Sequence, residues 1–365
     1  MTDMHGRYMR RALELAERGW GRVHPNPLVG AVVVRDGAIV GEGAHREFGG
    51  AHAEVEALAE AADARGATLY VTLEPCSHHG KTPPCTDAII RAGVATVVFG
   101  ASDPSSEARG GAEILRQSGI NVVGGIEADA VTEQNAAFFH QLQHDTPFVA
   151  LKLAMSLDAR IARAPGERTR ITSAEADAEV HRLRSGFDAI LIGGGTARVD
   201  DPLLTVRNAP SPIRPPIRIV LDSNATLEPS SKMLGSIGVA PVWLVCGTAA
   251  PAVRVRALES AGARVIRMDA TGEKAPIQPL LERLRSEGVG TVLCEGGSAV
   301  AGSLLQHDVV ERLYAFIAPA LLGGAGVPAF PLDRASNPAD WRTARIAQLG
   351  KDALLMLVRV RDREL

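Results

Sequence analysis

The sequence predicts an α/β protein with more than one domain. Its 365 residues are about twice the length of an ordinary domain. Strand-like apolar runs alternate with helix-like runs along most of the chain, which is typical of sheets covered by helices. Apolar residues make up 46% of the chain and charged residues 22%, so a sizeable core can be buried. These observations predict layered α/β domains and exclude a mainly disordered or collagen-like chain.

Local patterns predict the elements of residues 1–146 in turn. Met9, Ala12, Leu13 and Ala16 recur at helical spacing and form the apolar stripe of a first helix. Asp36-Gly37 is a hairpin turn signal between two strand-like runs. The predicted elements that follow the first helix are strands 29–34 and 39–43, helix 52–62, strand 69–73, helix 86–91, strand 96–100, helix 111–118 and helix 128–143.

A polar segment before Pro147 predicts a boundary between domains 1–146 and 147–365. Thr172 and Glu175 have the spacing of a capping box for a helix over 174–184. The other predicted elements of this domain are strands 148–156, 189–192, 217–221, 242–245, 265–267 and 291–294, helix 299–306 and a hairpin over 341–360. The strands that end at Ile192 and Cys294 both run into glycine-rich loops.

Residues 313–332 carry no formal charge and are long enough to span a membrane. The stretch contains three prolines and three glycines, which would interrupt an isolated helix repeatedly. We therefore expect a strand followed by a buried loop, and no membrane segment.

Charge and cysteine usage exclude further classes of protein. Lys and Arg number 39 against 42 Asp and Glu, which gives a net charge of −3. The signs are interspersed, so nucleic acid is not an expected partner. Charged residues interrupt the first 20 positions, which predicts no secretion signal. Four cysteines are too few for a disulfide scaffold of this length, and we expect a cytoplasmic protein.

The most specific pattern is His52-Ala53-Glu54 followed by Cys76 and Cys85. One imidazole and two thiolates supply the three protein ligands of a catalytic zinc ion and leave a position for water. Zinc lowers the pKa of its water from about 15.7 to about 7. Glu54 remains available to move a proton from that water to a ring nitrogen. The pattern thus predicts hydrolytic deamination of an amidine-like ring carbon, with release of ammonia.

The residues alone leave other interpretations open. Residues 77–84 separate the two cysteines, whereas the common deaminase signature has about two residues there. His78 or His79 could complete a closed, structural zinc site in a binding or scaffold protein, and the cluster could also be accidental. Lys81, with these histidines, could line the entrance of the site or belong to a solvated loop. A deaminase of nucleic acid or free nucleosides would need the short spacing and a basic face, and the sequence has neither.

The chain resembles the bifunctional riboflavin-biosynthesis deaminase/reductase family. The matching segments are 24–30, 52–54, 75–85, 151–158, 171–173, 200–207 and 295–297. The resemblance implies a cytidine-deaminase-like domain followed by a dihydrofolate-reductase-like domain. The first would act as a zinc hydrolase that deaminates 2,5-diamino-6-ribosylamino-4(3H)-pyrimidinone 5′-phosphate. The second would act as an NADPH-dependent oxidoreductase that reduces the ribosyl group of 5-amino-6-(5-phosphoribosylamino)uracil to ribityl.

The resemblance also assigns residues to these activities. It implies that Asn26 orients the base, that His52, Cys76 and Cys85 hold zinc, and that Glu54 moves protons. In the reductase it places substrate contacts at Arg168, Leu204, Arg207 and Glu295. It places cofactor contacts at Ala154, Arg170, Thr196, Asp200, Gly297, Ser298, Ala299 and Ser303. The candidate catalytic residues of the reductase are Lys152, Asp200 and Glu295.

Part of this assignment follows from the residue types themselves. Lys152 and Arg207 are cations suited to a phosphate, and a helix after Gly296-Gly297 offers backbone N–H groups to a pyrophosphate. Gly193-Gly194-Gly195 could instead be a plain turn. Asp200 and Asp201 could cap a turn or helix. We expect Cys246 and Cys294, each at the end of an apolar run, to be buried thiols.

Two positions depart from the family pattern. Arg170 stands where many relatives have tryptophan, so a stacking surface is lost and a cation is gained. We expect Arg170 to contact a phosphate of NADPH. Ala159 stands where glycine is usual, a change expected to reduce local backbone freedom. The family relation and the uncharged stretch 313–332 also suggest a homo-oligomer formed through the reductase domain.

Overall fold

The computed structural model describes residues 2–77, 83–105, 110–269, 276–332 and 337–361. The chain forms two compact units, Met1–His144 and Asp145–Leu365. Each unit is built on a sheet with helices packed against it, so the predicted α/β class is confirmed. Among the helices of the described ranges, none combines the length and the apolar character needed to cross a membrane.

The first unit has a five-stranded sheet in the order β2-β1-β3-β4-β5. Its strands are β1 (Gly30–Arg35), β2 (Ala38–Ala44), β3 (Thr68–Leu73), β4 (Thr96–Ala101) and β5 (Asn121–Val123). Its helices are α1 (Thr2–Ala16), α2 (Ala53–Glu60), α3 (Cys85–Ala92), α4 (Gly111–Gln117), α5 (Ala128–Gln134) and α6 (Ala136–Gln143). Strand β1 is antiparallel to β2 and β3, whereas β3, β4 and β5 are parallel.

Both faces of this sheet are buried. Ala31 and Val33 pack with α2 and α3 on one face, and Val32 packs with α1 on the other. The predicted stripe of α1 is on the buried side, since Met9 and Ala12 are fully buried. A sheet covered on both faces explains why its central strands β1, β3 and β4 are mainly apolar.

The single helix predicted over 128–143 is wrong, because the structure has two helices, α5 and α6, with Asn135 between them. The buried Asn135 side chain accepts a hydrogen bond from the backbone N–H of Leu28 at 2.8 Å and donates one to its carbonyl at 3.0 Å. The Asn135 amide thus satisfies the backbone N–H and carbonyl of Leu28, which lies in the loop before β1. Strand β5 was not predicted, because three residues carry no readable periodicity.

The second unit has a nine-stranded sheet in the order β11-β10-β9-β8-β12-β6-β13-β16-β15 and a two-stranded sheet of β7 and β14. The strands are β6 (Phe148–Ser156), β7 (Arg160–Ala162), β8 (Ala189–Gly193), β9 (Ile217–Leu221), β10 (Val242–Gly247), β11 (Arg264–Met268), β12 (Thr291–Cys294), β13 (Arg312–Ala318), β14 (Val327–Pro328), β15 (Trp341–Leu349) and β16 (Asp352–Arg359). The helices are α7 (Ala174–Ser185), α8 (Gly194–Asp200), α9 (Lys232–Gly235), α10 (Ala252–Ser260), α11 (Ile277–Ser286) and α12 (Ser298–Gln306).

The first seven strands of the large sheet in spatial order, β11, β10, β9, β8, β12, β6 and β13, are parallel. The hairpin β15–β16 adds two antiparallel strands beside β13. Strand β12 lies between β6 and β8. The segments that follow β8 and β12 therefore leave the sheet side by side at the carboxyl ends of the strands. Open parallel sheets bind ligands at these ends.

Three local predictions for this unit were wrong. The N-cap of α7 is Ser173 and not Thr172, because the Ser173 hydroxyl accepts the hydrogen bond from the Ala176 N–H. The glycines after β8 do not form a loop, since Gly194 and Gly195 begin α8. The segment after β13 is not buried, and Leu321 within it is 73% exposed. The predicted hairpin over 341–360 and the two buried thiols Cys246 and Cys294 are confirmed.

Ala159 adopts a left-handed backbone conformation with φ of +56° in the turn between β6 and β7. For a residue with a side chain, this region costs about 1–2 kcal/mol, whereas the extra freedom of an unfolded glycine costs about 0.4–1 kcal/mol. We expect Ala159→Gly to raise the free energy of unfolding by up to about 1.5 kcal/mol, as measured by urea unfolding.

Ala178→Gly is the matched control, since Ala178 is an exposed residue inside helix α7 of the same unit. Glycine at a helical position should lower the free energy of unfolding by about 1 kcal/mol. A loss of stability in both variants would contradict the assignment of strain to Ala159.

Candidate active sites

The predicted zinc ligands of the first unit lie together. The ligand atoms of His52, Cys76 and Cys85 are all within 4.8 Å of one another. Nδ1 of His52 is 3.1 Å from Sγ of Cys85 and 3.6 Å from Sγ of Cys76. A tetrahedral zinc ion with Zn–N near 2.0 Å and Zn–S near 2.3 Å places nitrogen and sulfur about 3.5 Å apart. The donor set and its spacing therefore fit zinc.

Two helix starts and one strand end place these ligands. His52 immediately precedes α2, Cys85 is the first residue of α3, and Cys76 follows the end of β3. Hydrogen bonds from Cys85 and His52 lower the pKa of the Cys76 thiol to about 4, against the effect of burial. A thiolate is the form that binds metal, so the surroundings prepare this cysteine as a ligand.

Glu54 lies in the first turn of α2 and is only 4% exposed. Burial raises the pKa of its carboxyl group above the ordinary range, and the nearby His52 opposes this in part. A carboxyl group whose pKa lies closer to neutrality can both accept and return a proton. Its position beside the ligand cluster suits the predicted proton transfer.

Asn26 is held by His45, a buried residue that the sequence did not point to. Nδ1 of His45 is 3.0 Å from the Ala51 carbonyl, which can only accept, so this nitrogen carries the proton. Nε2 of His45 therefore accepts from Nδ2 of Asn26 at 3.1 Å, which turns the amide oxygen of Asn26 away from His45. Burial lowers the pKa of His45 and favours this neutral ring.

The His45 ring also lies near the metal cluster, with its centroid 5.5 Å from that of His52. Asn26 is thus linked through one side chain to the zinc ligands. The only sequence signal for His45 was its place just after strand β2, where polar side chains often mark a site. His78, His79 and Lys81 lie outside the described residues, and what the sequence suggests for them stays a prediction.

In the second unit, a cavity of about 660 Å³ lies at the carboxyl ends of β6, β8 and β12. We call it the inner cavity. Most of the predicted reductase residues line it: Lys152, Ala154, Arg168, Arg170, Thr196, Asp200, Leu204, Glu295, Gly297, Ser298 and Ala299. Arg207 does not line it, and its guanidinium donates to the Thr205 hydroxyl at 2.9 Å. Ser303 lines a smaller neighbouring cavity of about 120 Å³.

Three of the charged side chains that line the inner cavity form one cluster. Arg184 donates to both carboxylate oxygens of Glu295, at 2.5 and 2.9 Å, and Nζ of Lys152 lies 3.8 Å from the same carboxylate. Burial would raise the pKa of Glu295, but the two cations outweigh it and lower that pKa. Burial also lowers the pKa of Lys152, despite the attraction of Glu295. Two cations thus share one carboxylate here, and Arg168 and Arg170, which line the same cavity, are cations suited to a substrate phosphate.

Arg184 was missed by the sequence analysis. It occupies the last turn of α7, where cations are common because they complement the helix dipole. Its position in the helix therefore gave no sign that it binds Glu295. Only the folded sheet brings Glu295, at the end of β12, next to Arg184.

Leu204 has a strained backbone, with φ of +52°, although its side chain is bulky and buried. Such conformations cost about 1–3 kcal/mol and cluster at functional sites. The guanidinium of Arg218, itself fully buried, donates to the neighbouring Leu203 carbonyl at 3.0 Å. The surroundings therefore hold this loop in place, which supports a role for Leu204 in binding.

The glycine-rich segments after β8 and β12 are joined by a hydrogen bond from the Gly297 N–H to the Thr196 hydroxyl at 3.0 Å. Helix α12 begins next to them, at Ser298, and its first residues line the inner cavity. The start of a helix offers unpaired N–H groups to an anion, so these residues fit the pyrophosphate of NADPH. Arg170 lines the same cavity and donates to Asp177 at 2.8 Å.

Two family models match the chain. The model described as the RibD C-terminal domain matches residues 147–355, and the model described as the cytidine and deoxycytidylate deaminase zinc-binding region matches residues 2–101. The riboflavin biosynthesis protein RibD of Escherichia coli (strain K12) is 40% identical over 372 residues, which cover 96% of this chain and 98% of that protein. The RibD of Bacillus amyloliquefaciens is 39% identical over 323 residues, covering 88% and 86% respectively.

Solved structures agree with the sequence matches. A form of Acinetobacter baumannii RibD superimposes with a TM-score of 0.82 at 33% identity, covering 99% of this chain and 100% of that one. A diaminohydroxyphosphoribosylaminopyrimidine deaminase/5-amino-6-(5-phosphoribosylamino)uracil reductase from Thermotoga maritima gives a TM-score of 0.82 at 36% identity, covering 98% and 99%. Sequence and structure, each over nearly the whole length, show that the chain belongs to the RibD family of bifunctional riboflavin-biosynthesis deaminase/reductases.

Proposed function

We propose that the two units catalyse successive reactions on one phosphoribosyl pyrimidine. The chain is a bifunctional deaminase/reductase that uses zinc and NADPH. Residues 1–146 would deaminate 2,5-diamino-6-ribosylamino-4(3H)-pyrimidinone 5′-phosphate. Residues 147–365 would reduce the ribosyl group of the resulting 5-amino-6-(5-phosphoribosylamino)uracil to ribityl. The observation that carries this proposal is the pairing of a His52-Cys76-Cys85 cluster and buried Glu54 in one unit with a cavity at parallel strand ends in the other, which Lys152 and Glu295 line.

In the deaminase, zinc when bound activates water for attack on the ring carbon that carries the amino group. Glu54 accepts one proton of the attacking water and delivers it to the ring nitrogen. It then transfers the remaining proton of the added hydroxyl to the amino group, which leaves as ammonia as the carbonyl forms. Asn26 orients the base through its amide oxygen, because His45 holds the other end of the amide. Asn135 supports this arrangement by holding the backbone at Leu28.

In the reductase, NADPH when bound supplies the hydride to the ribosyl carbon. Reduction of that carbon breaks its bond to the ring oxygen, which must receive a proton. Lys152 faces the inner cavity, and the lowered pKa of its ammonium group makes it a suitable donor. Glu295, held by Arg184, keeps Lys152 in place, and both are proposed to contact substrate. Arg168, Leu204 and Arg207 would complete the substrate site around its phosphate.

The proposed cofactor contacts follow the edge of the sheet from the substrate to the pyrophosphate. Ala154 lies on β6, and Thr196 and Asp200 lie on α8. The pyrophosphate would meet the start of α12 at Gly297, Ser298 and Ala299, with Ser303 one turn further along. Arg170 at the cavity would contact a cofactor phosphate, in line with its gain of charge relative to many family members.

Self-association through the reductase domain is a further proposal. Leu157 is 67% exposed and Leu321 is 73% exposed, and the two lie close together because the Leu157 N–H donates to the Ala320 carbonyl. Exposed apolar side chains that adjoin one another favour a protein interface. We expect gel filtration at micromolar concentration to show an oligomer, and Leu321→Asp to shift it towards the monomer. Elution of the wild type as a monomer would contradict the proposal.

A cytoplasmic location is also proposed. All four cysteines are free thiols, which suits a reducing compartment.

Glu54→Gln tests the deaminase assignment. It keeps the volume of the side chain but removes its ability to carry a proton, so ammonia release should fall by about 10²- to 10⁴-fold. Zinc content should stay unchanged, and NADPH oxidation should persist when the deaminated intermediate is supplied. Glu56→Gln, on the same helix, should retain ammonia release. Wild-type protein that binds zinc but releases no ammonia from the diaminopyrimidine would refute the deaminase.

The pH profile of NADPH oxidation tests Lys152. Only the protonated amine can donate, so the rate should be constant at lower pH and fall as pH rises through the pKa of Lys152. Burial lowers that pKa, so the fall should begin below the ordinary value of about 10.4. Lys152→Met should lose about 10²-fold or more in rate while still binding NADPH, as measured by fluorescence titration. Lys351→Met, in an exposed turn, is the control. An unchanged alkaline limb in Lys152→Met would show that another group donates the proton.

A further inference from the structure

The loop 201–208, between α8 and β9, carries Leu204 and Arg207, two residues proposed above to bind substrate. Its backbone is strained at more than one place, since Asp201 and Asn208 also have positive φ values, of +40° and +53°. Non-glycine residues keep such conformations only where the surroundings hold them. The contacts that hold this loop therefore also decide where its substrate-binding side chains lie.

Helix α7 holds the end of this loop through two residues that lie one turn apart. Nη1 of Arg184 donates to the Thr205 carbonyl at 3.3 Å. The backbone N–H of Arg207 donates to Nδ1 of His181 at 3.1 Å. The guanidinium of Arg207 in turn donates to the Thr205 hydroxyl at 2.9 Å. The two bonds to α7 thus fix the short segment from which this guanidinium extends.

The bond to His181 exists in only one protonation state of the ring. A backbone N–H can only donate, so Nδ1 of His181 carries a lone pair and the proton of the neutral ring is on Nε2. Protonation of Nδ1 would set two N–H groups against each other and break the bond. The guanidinium of Arg184, by contrast, stays protonated throughout the ordinary pH range. The strength of the His181 contact therefore depends on pH near neutrality.

The surroundings of His181 favour its neutral form. Burial lowers the pKa of the ring, and the positive charges of Arg184 on α7 and Arg207 on the loop lower it further. Glu295, at the end of β12, and Asp177, one turn earlier on α7, oppose this shift without reversing it. The ring is thus mainly neutral at pH 7, and its hydrogen bond to the backbone of Arg207 is in place.

We propose that His181 is a positioning residue of the reductase, which holds Arg207 in the substrate site only while its ring is neutral. The inference rests on the proposed function, in which Arg207 binds the substrate phosphate. In the part of the chain that the structure describes, His181 does not line the inner cavity, so it acts through the backbone of Arg207. Acidification would release this backbone and weaken substrate binding without altering hydride transfer.

The KM of the full-length chain for 5-amino-6-(5-phosphoribosylamino)uracil, measured from about pH 5 to about pH 8, tests the proposal. His181→Ala should raise this KM about three- to tenfold near neutral pH, as expected for one lost hydrogen bond, and leave kcat within about twofold. In the wild type, KM should rise as the pH falls through the pKa of His181, which lies below the ordinary value of about 6.5. An unchanged Kd for NADPH, measured by fluorescence titration, checks that the variant is folded.

His181→Asn is the matched variant, because its amide oxygen can accept the Arg207 N–H but does not titrate. It should keep the wild-type KM near neutral pH. At acid pH it should show only the smaller rise that the substrate phosphate causes in every variant, since a phosphate monoester titrates at about pH 6. His144→Asn, which replaces an exposed histidine of the first unit, should keep the whole wild-type profile.

A double-mutant cycle tests whether His181 acts through Arg207. Arg207→Ala should itself raise KM, and adding His181→Ala should then change KM by less than about twofold. Additive effects of the two changes, a fall in kcat in place of the rise in KM, or an unchanged KM in His181→Ala would overturn the inference while the reductase assignment stands. A wild type that oxidises no NADPH with this substrate would instead overturn the reductase assignment itself.

Discussion

The reductase site depends on one constraint, which is that the carboxyl ends of its parallel strands lie on the same side of the sheet. Strand β12 (Thr291–Cys294) enters the sheet between β6 (Phe148–Ser156) and β8 (Ala189–Gly193), although both lie far before it in sequence. Glu295 leaves the end of β12 and meets Lys152 on β6 and Arg184 at the end of α7. Because β12 pairs with β6, the carboxylate lies beside Lys152. The glycine-rich segments also meet on this side of the sheet, through Thr196 and Gly297.

The deaminase site also depends on strand and helix ends that meet at one place in the fold. Cys76 follows the end of a strand, and the other two ligands stand at the starts of helices α2 and α3. Those helices pack on one face of the sheet, so their first residues converge on Cys76. The convergence also buries Glu54, and burial gives its carboxyl group a pKa suited to proton transfer. One packing arrangement thus supplies both the metal ligands and the acid/base group.

Burial acts on charge in opposite ways at the two sites. Glu54 is shifted towards its neutral form because desolvation outweighs the attraction of His52. Glu295 remains anionic because Arg184 and Lys152 overcome the same desolvation. Lys152 is shifted towards neutrality, since one carboxylate shared with Arg184 does not compensate its burial. Two acids and one lysine thereby acquire different protonation behaviour from the balance between burial and the charges beside them.

Much of the fold and most of the chemistry were readable from the sequence. The apolar periodicities predicted the α/β class and nearly every strand, because burial on both faces demands continuous apolar runs. His52, Glu54, Cys76 and Cys85 were readable because few other chemistries require those residue types together. The family resemblance, with its NADPH-dependent reductase, was likewise carried by short segments that stand in the sequence itself.

The tertiary structure decided what depends on neighbours distant in the chain. His45 holds Asn26 across a loop, Asn135 bonds Leu28 from over a hundred residues away, and Arg184 clamps Glu295. The break at Asn135 and the cap at Ser173 were misread because each depends on hydrogen bonds of one side chain, which apolar periodicity and residue spacing do not record. Sequence periodicity records which side chains are buried. Which polar groups become neighbours is decided only by the three-dimensional packing. Those pairs help to set the pKa values and the geometry of both sites.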